Sequence, residues 1–473
     1  MSRESVILVT LVAYKLILIG IGFWASRRTQ TTEDFFIGGK TLGPWVAAVS
    51  SSASASSAWS LLGVSGAACA MGLSSLLLFP AVVGGYVFNW LWLAPRIRNR
   101  GNKSGAVTLT ELLAGKDNWT RLIVFICSFA IVFSFAFYIA AQFQAAGSTF
   151  SSSFGISVEN AIITGTAIIL IYTLLGGFWA VSVTDTIQGM LMAVVAIVLP
   201  AAALYEVGGP AELVESMTQV FDQDQLSISS SFFGYSAVAF VIGLLGVGLG
   251  NPGQPHVVNR FMAIKDERSM RIGKYIGIAW PVIVYGGMLI LGLCARVLMP
   301  SSEDNEKVLF EVTNRLFHPI VAGVIIAAVL SAIMSTADSQ LLVSASSLSY
   351  DLNKTLSQKK SLLFSRFSVF VMCSISLLIA LYAPQAIFSR VLFAWAAIGS
   401  AFAPLLIVML MGYNVNGPYR FAAILSGFTL TVIFNWLENT PGDVLERVVP
   451  FVLAFAIAWI GRKQPDLTTQ DSR

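Results

Sequence analysis

The chain has 473 residues, 56% of them hydrophobic and 11% charged, where a soluble globular protein carries about 25% charged residues. That balance excludes a soluble fold, and with it the folded basic face that nucleic-acid binding needs; it implies an all-α polytopic membrane protein. The net charge of +4 says little about partners, because the charges are sorted by loop.

A hydrophobic stretch of roughly 20 residues crosses the hydrocarbon core as a helix. By that rule the sequence predicts thirteen spans, at 5–25, 41–72, 73–95, 121–149, 157–179, 182–204, 232–250, 273–299, 317–349, 361–383, 385–413, 419–437 and 446–461. The first apolar run is followed by "ASRRTQTTED" instead of a cleavage site, so it reads as a retained span. Several spans exceed 25 residues, which implies tilt, kinks or breaks. Lys and Arg alternate between loops: twenty-two fall on one side and six on the other, while Lys15 lies inside the first span. The positive-inside rule then places the N-terminus outside and the C-terminus in the cytoplasm. The segment 205–231 holds five acids and no base, as expected of an extracellular loop.

Two spans look broken. The second contains "SSSASASSAW", Ser50 to Trp59, nearly devoid of side-chain bulk. The seventh reads "FVIGLLGVGLGNPGQPHVVNRFM", with five glycines and two prolines. Non-helical backbone at membrane depth survives only against protein or a wet cavity. The two spans are five apart, so spans 2–6 and 7–11 form blocks that each open on an irregular member, the pattern of a transporter site near the midplane. Gly248 to Gly253 fits G-x-G-x-x-G, but no strand precedes it and the dinucleotide reading lacks its context.

Ionisable groups within spans mark functional sites by default. Asp185 opens the sixth span, where it is either a site residue or a helix N-cap. In the ninth span Ser335, Asp338 and Ser339 stand at i, i+3 and i+4 with Thr336 alongside, so a carboxylate and hydroxyls share a helix face. Such an oxygen set suits a hard cation. Interhelical hydrogen bonding explains the hydroxyls but not Asp338. Lys15 either snorkels or faces the bundle. The four cysteines are scattered through apolar runs, and two histidines are too few for a histidine metal site.

The stretches "FFIGGKTLGPWVAA", "TLTELLAG", "FGISVENA", "LLGGFWAVSVTDTIQ", "GLGNPGQPHVVNRFMA", "AAVLSAIMSTADSQLLVSASS" and "FAWAAIGSAFAP" run the length of the chain. In that order they resemble the sodium:solute symporter family, most closely its sodium/proline symporter branch. The resemblance implies a LeuT-type five-plus-five inverted repeat, with a peripheral first helix and cytoplasmic loop (1–40), repeats at 41–204 and 232–413, the loop 205–231 between them, and two C-terminal helices with a short tail (414–473). It implies Na⁺-driven import of a small organic solute by alternating access, in the membrane of a bacterial cell, and no enzymatic chemistry.

Carried over by position, the resemblance implies a main Na⁺ site of the Ala53 and Ser56 carbonyls, the Ala332 carbonyl, the Ser335 and Thr336 hydroxyls, and Asp185 in support. Asp338 and Ser339 would serve a second Na⁺ or a proton. Ser57, Trp59, Tyr138, Gln142, Val247, Asn251 and Gln254 would face the solute. Two departures stand out: Ala55 replaces an aspartate of the proline branch, and Val247 and Asn251 replace its seventh-span aromatics. They direct the expectation from proline itself toward a larger or more polar amino acid or carboxylate. The alternatives are proton coupling through Asp338, and a membrane sensor that binds solute without transport.

Overall fold

The structure, a computed structural model, describes residues 3–26, 41–175, 178–300, 304–352, 358–383, 385–437 and 440–463. Arg27, Arg28, Lys40, Lys354 and Arg473, counted above for orientation, lie outside the described residues, as does the "FFIGGK" stretch.

In chain order the helices are α1 (Arg3–Ser26), α2 (Pro44–Ala55), α3 (Val64–Met71), α4 (Leu78–Phe88), α5 (Ala94–Ser104), α6 (Leu109–Ala114) and α7 (Thr120–Phe154). There follow α8 (Val158–Leu175), α9 (Phe178–Val207), α10 (Pro210–Val220), α11 (Gly234–Leu245), α12 (Pro255–Met262) and α13 (Glu267–Leu298). The last are α14 (Val308–Leu316), α15 (Pro319–Ser346), α16 (Gln358–Tyr382), α17 (Ile387–Leu410), α18 (Gly417–Asn435), α19 (Val444–Arg447) and α20 (Val449–Ile460). A short antiparallel pair, β1 (Asn414–Val415) with β2 (Arg462–Lys463), ties the C-terminal helices together. Among the described residues ten helical stretches are long and apolar enough to cross a membrane, with Val158–Ile171 a shorter apolar one.

Helix boundaries follow local chemistry. Helical backbone runs on from Trp59 to Ser104, but Gly72, at φ 61°, turns the chain between α3 and α4. A side chain there would meet the Gln225 carbonyl at 2.2 Å. Gln225 in turn bonds to the hairpin through its own carbonyl (Leu73 N, 2.8 Å) and its amide (Ala70 O, 2.7 Å). The acidic segment expected to be a loop therefore holds helix α10 and folds onto the tip of the hairpin. At the other side of the chain, Asp266 N-caps α13 by accepting from the Ser269 N–H at 2.7 Å.

Packing exchanges the two blocks. The broken first helix, α2–α3, rests on α13, and its α2 half also packs on α9; the Gly246–Gly253 turn of the second broken helix rests on α4 and α17. Likewise α7 packs on α17 and α15 on α9, while α7 and α15 cross each other at the centre. Each block thus lends its broken helix to the other's second member and its own fifth. The two breaks lie in the middle of the bundle, and α1 lies outside against α15 and α9.

Candidate functional site

Ser56 leaves helical conformation (φ −103°, ψ 86°), and helix resumes at Trp59 as a π turn. Breaking a helix orphans backbone groups that need partners, and here side chains supply them. Gln142 Oε1 accepts from the Ala58 N–H at 3.0 Å and Ser57 Oγ accepts from the Trp59 N–H at 3.2 Å, while Trp280 Nε1 holds the Ser56 side chain by donating to its Oγ at 2.8 Å. The small residues of the opening stretch let α15 approach the end of α2. Ser335 Oγ donates to Ala53 O at 3.2 Å and lies 3.3 Å from Ala332 O, while Thr336 Oγ1 donates to Ser54 O at 3.0 Å. Five oxygens from two helices converge, all buried, where the negative end of the α2 dipole points. That set suits a hard cation. Of the residues expected there, the structure brings together Ala53, Ala332, Ser335 and Thr336 and adds Ser54. No hydrogen bond joins the expected Ser56 carbonyl to this set, and the Ser56 hydroxyl accepts from the Trp280 indole N–H.

Asp185 lies inside α9, seven residues past its start, which removes the N-cap alternative. It does not touch the Ala53–Ser335 set. Its Oδ2 pairs with Arg260 Nη2 at 2.6 Å, at 0% and 2% exposure, and accepts from Ser50 Oγ at 3.2 Å. The same guanidinium donates to Ser339 Oγ (2.7 Å), Ser50 Oγ (2.8 Å) and His256 O (2.8 Å). One arginine therefore fastens α2, α9, α12 and α15. Arg260, one of the twenty-two Lys and Arg counted on the cytoplasmic side, is a buried member of α12. His256 is likewise buried in that helix, edge-on to Phe135 at 5.6 Å. Asp338 is fully buried, and neither of its oxygens has a well-formed hydrogen bond; only the Ser339 backbone N–H approaches. The expected second-ion pair is thus divided: Ser339 meets Asp185, expected in support of the main site, on Arg260, and Asp338 stands apart. Among the described residues no group of three His, Cys, Asp or Glu gathers.

A cavity opens beside the break, lined by Trp59, Tyr138, Val247 and Asn251 as expected, and also by Ala55, Val82, Tyr285, Val391, Leu392 and Trp395. Its free room is about 10 Å³, one water's worth. The Trp59 indole N–H has no partner, while Asn251 Oδ1 is taken by Asn89 Nδ2 at 2.9 Å. Tyr138 OH leans on Ser57 Oγ at 3.4 Å, and Tyr285 OH on Ser60 Oγ at 2.7 Å. Three expected residues do not line this cavity: Ser57 stands behind Tyr138, Gln142 holds the break, and Gln254 donates to Gly250 O and Trp395 O at 3.0 and 3.1 Å. Tyr285 and Trp395 gave no sequence signal, since each lies within an ordinary apolar span.

Phe388 stacks on Trp59, which lines the cavity, at 5.8 Å. Glu306 holds Phe388 in place by accepting the N–H groups of Ile387 (3.1 Å) and Phe388 (2.8 Å) at the start of α17. Burial keeps the Glu306 carboxyl above the ordinary value.

The model of the Sodium:solute symporter family matches residues 35–427. The osmoregulated proline transporter OpuE of Bacillus subtilis (strain 168) is 34% identical over 465 residues, covering 96% of this chain and 94% of its own. The sodium/proline symporter of Escherichia coli (strain K12) is 32% identical over 470 residues, covering 95% and 92%. Among solved structures, a substrate-bound, outward-open Na⁺-coupled sialic acid symporter superposes with a TM-score of 0.82 at 19% identity, over 98% of this chain and 99% of that one. MhsT in complex with L-phenylalanine gives 0.55 at 13% identity, over 88% and 98%. At these identities the structural likeness is one of fold, and the fold is the LeuT-type core.

Proposed function

Because the chain belongs to the sodium:solute symporter family, we propose that it imports a small organic solute by Na⁺-driven alternating access, across the inner membrane of a bacterium. The observation that carries this is the α2–α15 contact. Ser335 Oγ meets Ala53 O and Thr336 Oγ1 meets Ser54 O along this contact, and the cavity begins on the next residue, Ala55. Na⁺ there would hold α2 to α15 and so set the shape of the cavity wall, giving ion and solute differential affinity for the same conformational states. The packing exchange supports repeats at 41–204 and 232–413, and the alternation of loop charges supports an outside N-terminus and a cytoplasmic C-terminus.

Trp59 and Phe388 would form the outer lid, and the Arg260 knot would close the cytoplasmic half until ion release. The relatives named for proline, together with the tight aromatic cavity, favour proline or an amino acid of its size. That outweighs the larger solute which Val247 and Asn251 suggest from sequence alone. The test is L-proline uptake into proteoliposomes under an imposed Na⁺ gradient. Ser335→Ala with Thr336→Ala should abolish gradient-driven accumulation; unchanged uptake would overturn the ion-site assignment. A pH gradient that drives uptake in the absence of Na⁺ would instead establish proton coupling, which the unbonded carboxylate of Asp338 favours.

A further inference from the structure

The first helix carries a lysine at mid-membrane that the ion site above does not use. Lys15 is eleven or twelve residues from either end of α1, about 17 Å at 1.5 Å per residue, farther than its four-carbon stem reaches. It does not snorkel. Ile7, Leu11 and Leu18 are the buried positions of α1, while Leu8, Val9, Val12, Leu16, Ile17 and Ile19 are exposed. Lys15 lies on the flank of the packed face, beside Tyr14, whose hydroxyl bonds Ser331 Oγ of α15 at 2.6 Å. The ammonium itself rests on the Met334 thioether, a weak acceptor for a group with three donors.

One turn along α15 from Met334, at i+4 and on the same face, is Asp338, buried and without a well-formed hydrogen bond. The two charges are within electrostatic reach of each other. A half-buried cation and a fully buried anion, each lacking a good partner, thus stand about one turn apart on facing helices. The neighbouring acid, Asp185, is already matched by Arg260. The buried charges therefore cancel as two pairs only if Lys15 belongs to Asp338.

We propose that Lys15 is the resident cation of Asp338, so that this carboxylate recruits no second Na⁺ and α1 is tied to the ion-binding helix. The proposal rests on the symport reading. The Asp338 charge lies one turn beyond the Ser335 and Thr336 hydroxyls, and a tethered ammonium neutralises it without an ion that must be released. The main site, built of neutral carbonyls and hydroxyls, then carries a single Na⁺ per solute.

The experiment is a charge-rescue cycle in reconstituted full-length protein, read by Na⁺-driven L-proline uptake, by the Na⁺ concentration giving half-maximal uptake, and by thermal unfolding in detergent. Lys15→Met strands Asp338 and should cut uptake at least tenfold, shift half-saturation by Na⁺, and lower the unfolding temperature. Lys15→Met with Asp338→Asn removes both charges and should return all three readouts to within about threefold or a few degrees of the parent. Lys15→Arg should stay near the parent. The proposal is overturned if Lys15→Met lies within twofold of the parent, if the double variant is no better than Lys15→Met, or if ²²Na⁺ and proline move in a ratio of two. A parent that shows no Na⁺-driven uptake sinks the symport reading instead. The unfolding arm would still decide the pair, by whether the double variant regains what Lys15→Met loses.

Discussion

Arg260→Met removes one guanidinium from a site where it makes four hydrogen bonds of 2.6 to 2.8 Å to α2, α9, α12 and α15. What remains is worse than a lost contact. The Asp185 carboxylate stays fully buried with Ser50 Oγ, at 3.2 Å, as its surviving partner. Breaking a buried ion pair from one side costs about 3–5 kcal/mol, because the stranded charge has no solvent, whereas replacing both partners with neutral groups is often close to neutral. Arg260→Met should therefore lower unfolding stability by about 3–5 kcal/mol, measured by sodium dodecyl sulfate titration in mixed micelles. Arg260→Met with Asp185→Asn should recover most of that loss, since asparagine keeps the carboxylate's shape and bonds to the serines. Neither variant should keep tight coupling, because four helices are no longer fastened; a raised Na⁺ leak without solute is the expected signature. If the double variant is as unstable as the single one, the knot acts through arginine packing and the electrostatic argument is wrong.

Glu306 gives a pH dependence whose sign follows from its environment. Burial outweighs the two backbone N–H groups that favour its charge, so its value in the latched state exceeds the ordinary 4.5. The latched lid then holds the proton more tightly than the open one, is firmest at acid pH, and loosens as pH rises through the raised value. Glu306→Gln should flatten that dependence in a fluorescence reporter of lid position; a profile unchanged from the parent would remove Glu306 from the latch. Gly399→Ala would place a methyl group 2.4 Å from the Gly250 Cα, and overpacking against backbone should cost about 1–3 kcal/mol of unfolding stability. Trp280→Phe deletes the 2.8 Å bond to Ser56 Oγ, about 1 kcal/mol. It should raise the Na⁺ concentration for half-maximal uptake several-fold while leaving maximal rate largely intact.

Both helix breaks were legible in the sequence, because small residues from Ser50 to Ala58 and the glycines and prolines from Gly243 to Pro255 carry a local backbone signal. The α15 face was legible for the same reason: Ser335, Thr336, Asp338 and Ser339 are spaced by one helix's own geometry. Arg260 was not. An arginine five residues before the hydrophilic run Lys265–Arg268 has the composition of a loop charge, and only the packing of α12 against α2 and α15 shows that it is buried. Tyr285, Trp395 and Trp280 were invisible for a related reason. Within an apolar span, period alone does not say which aromatic meets which cavity, since that depends on contacts between helices far apart in the chain. Gln142 and Gln254 were placed at the solute by their positions in the family pattern, yet Gln142 bonds the Ala58 N–H at the first break and Gln254 bonds Gly250 O of the second broken helix and Trp395 O of α17. A broken helix generates its own demand for amides.

The distribution of charge around the first break explains what Ala55 does. This residue lines the solute cavity, so the aspartate that the proline branch carries at that position would put a negative charge directly on the cavity wall. Here that wall is neutral, and the buried acids Asp185 and Asp338 stand on other helices, toward Arg260 and Lys15. A solute entering the cavity meets the Trp59 indole N–H, the Tyr138 and Tyr285 hydroxyls and aromatic surface, but no fixed charge from the cavity lining itself. On the proposed ion site, Na⁺ at Ala53, Ser335 and Thr336 would offer a solute carboxylate a positive charge across the thickness of the unwound segment. Coupling on this arrangement is electrostatic and short-range: the ion makes the cavity favourable for a carboxylate, and the carboxylate makes the ion harder to lose. An amino acid should therefore compete for uptake far better than its amide, in which the carboxylate is neutralised. Equal competition by prolinamide and proline would show that the ion acts only through the shape of the break.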